Sequence, residues 1–244
     1  MTPVLRVLLS LPALAALSAC AEHDTVEDRF ETSGELIALS GGDAGPAGAC
    51  IGCHGLKGEG NGGDAPRLAG LSAGYIVRQM DYYATGLRRD SKMVWIADHI
   101  DRPQRIRLGE YYSALPVPDQ VAGTPPKDDL ACSAEIATLY HRGNAARGIP
   151  SCASCHGDAG EGNAGNPPLA RQPAPYLHTQ LQNWRDGTRY GDPQGKMRAI
   201  SRLLTEGEAK ALAGYSSALQ GDGAYPAPLA ACLPERRPGP RNDA

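Results

Sequence analysis

One short stretch of sequence occurs twice in this chain of 244 residues and constrains the fold more than any other feature. Both copies read C-x-x-C-H-G and continue into the letters G-E-G-N. The first copy begins at Cys50 and the second at Cys152. A single C-x-x-C-H can arise by chance, but two copies with the same continuation indicate an internal duplication that repeats one chemistry.

The pattern C-x-x-C-H is the attachment signature of c-type haem. Two thiols at this spacing add across the vinyl groups of one haem, and the adjacent His lies under the iron as an axial ligand. The predicted attachment residues are Cys50, Cys53, Cys152 and Cys155, and the predicted His ligands are His54 and His156. The sequence therefore predicts two covalently bound haem c groups, and the glycines after each motif let the backbone pass close to them.

Two other uses of paired cysteines fit the sequence less well. A zinc ribbon usually brings its Cys pairs within a few tens of residues of each other, whereas these pairs lie about a hundred residues apart. A thioredoxin-like dithiol needs a βαβ context. The sequence has no run of alternating or β-branched residues that would provide one.

The duplication extends beyond the haem motif and covers a unit of about a hundred residues. An amphipathic helix is predicted after each motif, running in the first copy from Tyr75 to Tyr83. A last helix is predicted after Asp101 in the first copy and after Thr205 in the second. Thr205 and Glu208 form a capping-box pattern, which strengthens the second of these predictions.

The repeat also points to a sixth ligand for each iron. Met93 and Met197 each precede a Tyr of the last helix by the same number of residues. Both lie in polar segments that we predict to be irregular, where a buried hydrophobic residue has no packing role. Because haem iron commonly pairs His with Met, we predict Met93 and Met197 as axial ligands.

The remaining Met and His residues are weaker candidates for ligation. Met80 lies on the apolar helical face and has Leu181 as its repeat partner, so we predict that it is a core residue. His99, His141 and His178 have no matching His in the other copy. We predict that these three are exposed or hydrogen-bonded.

Composition favours small domains that are built around haem. Aromatic residues make up 5% of the chain, which is a small fraction for two ordinary hydrophobic cores. Two haems would supply the missing apolar volume. The 30 Gly and 20 Pro predict long irregular loops. The formal net charge is −3, and no concentrated basic region indicates nucleic-acid binding.

Residues 1–20 read as a bacterial export signal. A basic start precedes an apolar run at 7–17, which is too short for a comfortable membrane span. The ending Leu-Ser-Ala-Cys resembles a lipobox, which implies that Cys20 becomes the lipidated first residue and anchors the protein to a membrane. Ordinary cleavage beside Cys20, which would release a soluble periplasmic protein, is the alternative.

The chain after the signal divides into a tether, two domains and a tail. The tether is predicted to be acidic and flexible, with at most one or two helical turns before Gly41 and Gly42. The predicted bounds are 21–45 for the tether, 46–123 for domain 1, 124–232 for domain 2 and 233–244 for a Pro/Arg-rich tail.

With these residues in place, the chain resembles the two-domain dihaem cytochromes c of bacteria, the cytochrome c-four type. The resemblance covers roughly residues 46–220. It is carried by the stretch with the second haem motif at 148–157, by Pro-Arg-Leu-Ala-Gly at 66–70, by Tyr176-Leu177 with Gln180-Leu181, and by Gly187 with Arg189. It implies an all-α fold of two tandem class I cytochrome c domains, each wrapped around a covalent haem.

The resemblance also implies a partner for each haem-ligating His. In small class I cytochromes c a proline carbonyl holds the ring in place, and we carry this role over to Pro66 and Pro168. Pro66 follows His54 by twelve residues, and Pro168 follows His156 by the same number.

The function that the resemblance implies is that of a periplasmic one-electron carrier rather than an enzyme. Such a carrier takes electrons from a quinol-oxidising complex or a dehydrogenase and passes them to a terminal oxidase or another acceptor. An iron with both axial positions filled by protein has no open site for substrate, which fits this role. Two alternatives stay open, a cytochrome subunit of a periplasmic dehydrogenase and, with less support, a haem peroxidase or sensor.

Two cysteines remain after the haem motifs and Cys20 are assigned. Cys132 precedes the first helix of domain 2 and Cys232 follows the last. These helices pack together in the implied fold. A disulfide between the two cysteines would therefore link the two ends of the domain and contribute roughly 2–4 kcal/mol to its stability. Two free thiols are the alternative.

Overall fold

The computed structural model describes residues 26, 29, 32–119, 121, 123, 133–163 and 165–222. Within these residues the regular structure is helical, and two isolated bridges are the sole β pairings. The prediction of an all-α fold is therefore confirmed. No helix in this part of the chain is both long enough and apolar enough to cross a bilayer.

Five α-helices form the first domain and five form the second, counted over the described residues. In the first they are α1 Gly34–Ser40, α2 Ile51–His54, α3 Ala73–Ala84, α4 Ser91–His99 and α5 Arg102–Ala114. In the second they are α6 Ala134–Arg142, α7 Ala153–His156, α8 Ala174–Asp186, α9 Lys196–Leu203 and α10 Glu206–Ala218. In each domain the short second helix carries the end of the haem motif.

Polar side chains cap the N-termini of most of the longer helices, as the sequence predicts. Asp101 accepts a hydrogen bond from the Gln104 amide at the start of α5, at 2.8 Å. At the start of α10, Thr205 accepts from the Glu208 amide and Glu208 accepts from the Thr205 amide, which completes the predicted capping box. These caps satisfy backbone N–H groups that have no partner within the helix.

The predicted tether is wrong over its last part, because α1 belongs to the core of domain 1. Ile37 is fully buried and packs in one cluster with Leu108 and Tyr112 of α5. Gly34 permits this close approach, since a Cβ at that position would collide with the backbone carbonyl of Arg107. The prediction failed because seven residues are too few for a convincing helical period, and the two buried residues of α1, Ile37 and Ala38, pack against α5 rather than against their own sequence neighbours.

The core of domain 2 has the same plan. Helix α6 packs on α10, and Tyr140 of α6 is fully buried beside Leu212 and Leu219. Helix α8 packs on both α9 and α10. The first and last helices of each domain thus pack on each other, and the first cysteine of each haem motif packs against the same buried cluster.

The two domains are joined by hydrogen bonds that are buried from solvent. Gln172 of domain 2 donates its side-chain amide to the Arg67 carbonyl, at 2.9 Å, and accepts from the Arg67 amide, at 3.1 Å. The segments after α3 and α8 run antiparallel, and the Tyr190 amide donates to the Leu87 carbonyl at 2.6 Å. These bonds fix which loops of one domain face the other.

Candidate haem-binding sites

Each haem motif ends in a buried histidine on a short helix. In α2, Cys50 stands at the helix start and His54 is the last residue, with 7% of its surface exposed. Gly55 follows with a φ of 80°, a left-handed value that favours glycine, and it turns the chain sharply away. In α7 the same arrangement places His156 at 8% exposure.

Backbone carbonyls orient both histidine rings. His54 donates its Nδ1–H to the Pro66 carbonyl at 2.9 Å, which leaves Nε2 as the nitrogen with a free lone pair. Burial lowers the pKa of His54, and the hydrogen bond to Pro66 opposes this only in part. Burial likewise lowers the pKa of His156. Both rings are therefore held as the neutral imidazole, which is the form that binds a metal.

The hydrogen bond predicted for Pro168 is made by Pro167 instead. His156 donates its Nδ1–H to the Pro167 carbonyl at 2.8 Å. The loop that follows the second motif is one residue shorter than the loop that follows the first. Counting twelve residues on from His156, as from His54 to Pro66, therefore gives the residue after the one that accepts the hydrogen bond. The sequence alone could not separate the two candidates, because Pro167 and Pro168 are adjacent and either of them is a plausible match to Pro66.

A cavity of about 550 Å³ lies against the first motif. Its walls include Cys50, Cys53, His54, Pro66 and Met93, so the structure brings together the predicted site residues of domain 1. Apolar side chains of α3, among them Ile76 and Met80, complete the walls. Met80 belongs to the buried core, as predicted, although it also borders the cavity.

Both candidate methionine ligands lie in the first turn of a helix, which corrects the prediction of irregular segments. Asp90 begins α4 and accepts from the Met93 amide at 3.0 Å. In domain 2, Asp192 accepts from the Met197 amide at 2.7 Å. Helix α9 is short and polar, and α4 is short and begins within a polar segment, which hid their first turns in the sequence. An aspartate side chain thus holds the backbone amide of each methionine, although only Asp90 is the N-cap of its helix and in α9 the N-cap is Gly195.

The donor set fits covalent haem in both domains. All four motif cysteines are free of disulfide bonds. Burial raises the pKa of the Cys50 thiol to about 11 and that of the Cys152 thiol to about 11, so the first cysteine of each motif lies in an apolar environment suited to a macrocycle. A buried imidazole with Nε2 available stands next to each thiol pair. The chemistry that the bound haems supply is one-electron exchange at iron.

The other histidines among the described residues have protein partners, in agreement with the prediction. His99 donates Nδ1–H to the Trp95 carbonyl at 2.7 Å on the exposed side of α4. His178 lies 2.6 Å from a Glu206 carboxylate oxygen, and His141 Nε2 lies 2.8 Å from the Tyr215 hydroxyl. Cys20, Cys132 and Cys232 lie outside the described residues, so the lipidation and disulfide predictions remain predictions.

Sequence reasoning missed the burial of two arginines, of which Arg88 borders the first cavity. Arg88 and Arg189 occupy matching positions in the two repeats, and each follows a glycine that ends a helix region. The repeated Gly-x-Arg was visible in the sequence. Its burial was not, because it depends on contact between the two domains.

Comparison with known proteins agrees with this architecture. The cytochrome c family profile matches residues 42–106 and 134–219. The thiosulfate dehydrogenase electron acceptor of Thiomonas intermedia is 38% identical over 175 residues, covering 70% of this chain and 79% of the relative. Cytochrome c4 of Thiocapsa roseopersicina is 32% identical over 182 residues, covering 73% of this chain and 91% of the relative.

Solved structures give the same result. Thiosulfate dehydrogenase (TsdBA) from Marichromatium purpuratum matches with a TM-score of 0.67 and 34% identity, over 78% of this chain and 40% of that longer chain. Reduced recombinant cytochrome c4 from Pseudomonas stutzeri matches with a TM-score of 0.63 and 26% identity, over 75% of this chain and 97% of the other.

The fold and the paired motifs define a c-type cytochrome with two haem domains. The chain belongs to the cytochrome c family, and it binds two covalent haem c groups, one at Cys50 and Cys53 and the other at Cys152 and Cys155.

Proposed function

We propose that this chain is a periplasmic electron carrier and not an enzyme. It accepts electrons one at a time from a dehydrogenase and passes them to a terminal oxidase or another acceptor. Thiosulfate dehydrogenase is the donor to test first, because relatives at 38% identity are named as its electron acceptors. A quinol-oxidising complex is the other class of donor.

One observation carries the proposal: His54 and Met93 line the same cavity beside the thiols of Cys50 and Cys53. An imidazole nitrogen and a thioether together would fill both axial positions of an iron held there. Such an iron offers substrate no open position, so its available chemistry is electron exchange. The hydrogen bond from the Met197 amide to Asp192, which resembles that from the Met93 amide to Asp90, extends the proposal to domain 2.

The mouth of the cavity in domain 1 is a suitable place for a redox partner to dock. Cys53 and Ala47 border the cavity and are exposed, and Trp95 borders it with 41% of its surface exposed. Large aromatic residues at the centre of an interface often carry much of the binding energy. Since the two domains are close to neutral in the sequence, docking should depend only modestly on salt.

A reduction assay tests the donor. Oxidised holoprotein is mixed with a catalytic amount of thiosulfate dehydrogenase and thiosulfate, and the rise of the reduced haem band is followed. We expect both haems to be reduced. We expect Trp95→Ala to slow reduction at least several-fold at low concentrations of the carrier, by the loss of an interface aromatic.

Ile106→Ala is the matched control. Ile106 is 40% exposed, nearly the same as Trp95, but it lies on α5 and does not border the cavity. Its rate should equal that of the wild type. Reduction no faster than that of an unrelated c-type cytochrome would rule out thiosulfate dehydrogenase as the donor. Equal slowing by both variants would rule out docking at Trp95.

The second candidate function is a fixed subunit of a dehydrogenase. The resemblance to part of the longer thiosulfate dehydrogenase chain favours it. Size-exclusion chromatography of the same mixture separates the two proposals, since a fixed subunit elutes with the enzyme in a constant ratio and a mobile carrier elutes alone. Membrane attachment through Cys20 is part of the carrier proposal, and mass spectrometry of the mature N-terminus checks it.

A further inference from the structure

One buried hydroxyl of domain 1 lacks a partner within the part of the chain that the structure describes. Tyr112 of α5 has 1% of its surface exposed, and its hydroxyl oxygen makes no hydrogen bond of good geometry there. A buried polar group without a partner costs about 1–3 kcal/mol, so such groups are rare and call for an explanation. Tyr112 also lines the cavity of the first haem motif, together with Cys50. The partner of the hydroxyl is therefore to be sought at the haem site.

The ring of Tyr112 is fixed in place by its surroundings. Gly58 lies directly against the ring edge, since a Cβ at Gly58 would come within 2.8 Å of it. The Tyr111 ring packs edge-on against the same ring, with the two centroids 5.0 Å apart. The backbone is held as well, because the Gly70 amide donates to the Tyr112 carbonyl at 3.0 Å. The hydroxyl therefore keeps one position at the cavity wall.

The sulfur of Cys50 lies where it can accept from this hydroxyl. Cys50 packs against the buried cluster that contains Tyr112. Burial raises the pKa of the Cys50 thiol, and the Tyr112 hydroxyl lowers it in part, so the two groups interact even though their geometry is short of a full hydrogen bond. Burial also raises the pKa of Tyr112, which keeps the phenol protonated at neutral pH. Once haem is attached, the sulfur is a thioether without a proton, and it can act only as a weak acceptor.

Domain 2 carries a different residue at the matching place. Ser216 of α10 follows Met197 by the same number of residues as Tyr112 follows Met93. Ser216 is buried, with 5% of its surface exposed, but its side chain is too short to take the position of a phenol hydroxyl. The interaction described for the first haem motif is therefore particular to domain 1.

The core of domain 2 uses its tyrosine hydroxyl within the protein. Leu219 lies against the glycine that matches Gly58, since a Cβ at Gly160 would come within 3.0 Å of the Leu219 side chain. Tyr140 of α6 is fully buried in this core, and its hydroxyl donates to the Gly157 carbonyl at 2.9 Å. A buried phenol of domain 2 thus has a backbone partner, whereas that of Tyr112 is left facing its haem site.

We propose that the Tyr112 hydroxyl donates a hydrogen bond to the thioether sulfur of Cys50 and thereby raises the reduction potential of the haem in domain 1. The donor places the positive end of its dipole toward the haem, and reduced iron carries one positive charge fewer than oxidised iron. The bond therefore favours the reduced form, since hydrogen bonding around the ligands is one of the means by which a protein sets a haem potential. Tyr112 acts through Cys50, which makes it a positioning residue. The proposal requires covalent haem at Cys50 and does not depend on the identity of the electron donor.

Redox titration of the holoprotein tests the proposal without any partner protein. Tyr112→Phe removes the hydroxyl and keeps the ring. We expect the reduction equilibrium of the haem in domain 1 to fall by about threefold, the size of one weak hydrogen bond, and that of the haem in domain 2 to stay unchanged. NMR signals of the haem substituents, followed through the titration, report the two domains separately. Equal shifts in both haems, or no shift in either, would overturn the proposal.

Tyr111→Phe is the matched control. Tyr111 precedes Tyr112 on α5 and packs against the same buried cluster, but it does not border the cavity. Removal of its hydroxyl should leave both potentials unchanged. A shift of the haem in domain 1 as large as that in Tyr112→Phe would show that the packing of α5, rather than the Tyr112 hydroxyl, sets the potential.

A measurement on the wild-type holoprotein keeps the test independent of how well Tyr112→Phe folds. If the hydroxyl bonds to the sulfur, exchange of its proton for deuterium should shift the C–S stretching band of the Cys50 thioether in the resonance Raman spectrum. The band of the Cys152 thioether is the internal reference and should not move. Identical Cys50 bands in ordinary and heavy water would contradict the proposal. A variant Tyr112→Phe that unfolds more easily but keeps both potentials would reduce the hydroxyl to a structural role.

Discussion

Domain 1 holds Gly70 where domain 2 holds Arg171, although both residues take a left-handed backbone conformation with φ of 71° and 56°. The amide of each donates to a carbonyl of the last helix of its own domain, at 3.0 Å. Around the histidines and at the interface, by contrast, the two copies agree closely. The contrast teaches that the repeat preserves the residues at the haem motifs and at the contact between the domains, whereas positions nearer the surface have diverged in ways that affect stability.

A second difference concerns the start of the last helix. In domain 1 the third residue of α5 is Gln104, which is neutral, and in domain 2 the corresponding residue of α10 is Glu208, which pairs with Arg147. The third residue of the last helix is therefore a carboxylate with a basic partner in domain 2 and a neutral amide in domain 1. Comparing the domains in this way gives three predictions, of which the first has the largest effect.

Removal of the proposed methionine ligands should have the largest effect. Met93→Ala should lower the potential of the haem in domain 1 and leave the other almost unchanged, and Met197→Ala should do the reverse. Because axial ligands tune haem potentials over roughly 0.8 V, we expect each shift to be on the order of 0.1 V or more. Redox titration of each holoprotein measures both potentials.

Met80→Leu is the control for this prediction, since Leu181 stands at the matching place in domain 2. It should keep both potentials, and it exchanges residues of similar volume. A large shift in Met80→Leu with none in Met93→Ala would show that the ligand had been assigned to the wrong methionine.

Substitution at the left-handed positions should have opposite effects in the two domains. Gly70→Ala should destabilise domain 1 by about 1–3 kcal/mol, because an added Cβ has an unfavourable φ and meets the side chain of Val117. Arg171→Gly should stabilise domain 2 by up to about 1 kcal/mol, since its hydrogen bond to the Pro118 carbonyl is long, at 3.4 Å. Urea unfolding followed by domain-resolved hydrogen exchange measures both changes, and equal signs would contradict the comparison.

The smallest predicted effect is an acid sensitivity of domain 2. Arg147 lowers the pKa of Glu208 from 4.5 to about 2. Because this folded-state pKa is depressed, the stabilisation is complete above pH 4.5 and is lost as the pH falls toward 2. Glu208→Gln should cost less than about 1 kcal/mol at pH 7, since the pair is partly exposed, and this cost should fall toward zero as the pH drops through 2.

The matched control for acid sensitivity is Glu110→Gln in domain 1, which removes an exposed pair with Arg107 on α5. Its stability should follow that of the wild type at every pH. If hydrogen exchange showed the same loss in domain 1 for Glu208→Gln as in domain 2, the effect would not be local to the cap.

Much of the site could be predicted because it is encoded locally. The Cys-x-x-Cys-His spacing fixes which side chains meet one haem, and the repeat separates Met93 and Met197 from Met80 without any structure. The caps at Asp101 and Thr205 were predictable for the same reason, since a cap involves residues within one turn.

The rest depends on contacts between distant residues. Helix α1 was predicted to lie in a tether because its burial is provided by α5, about seventy residues later. Pro167 was missed because one residue is absent from a loop whose length only the folded chain reveals. The pairing of Arg88 with Arg189 needs both domains in place, so no local pattern could reveal it.

The most direct test of the central claim is the visible spectrum of the holoprotein in both oxidation states, before and after exposure to carbon monoxide. The claim is that a histidine and a methionine occupy the two axial positions of each haem iron. It predicts two low-spin c-type haems whose spectra the gas leaves unchanged. Binding of carbon monoxide at either iron would mean that Met93 or Met197 does not hold its position, and a haem enzyme or sensor would then be the better description.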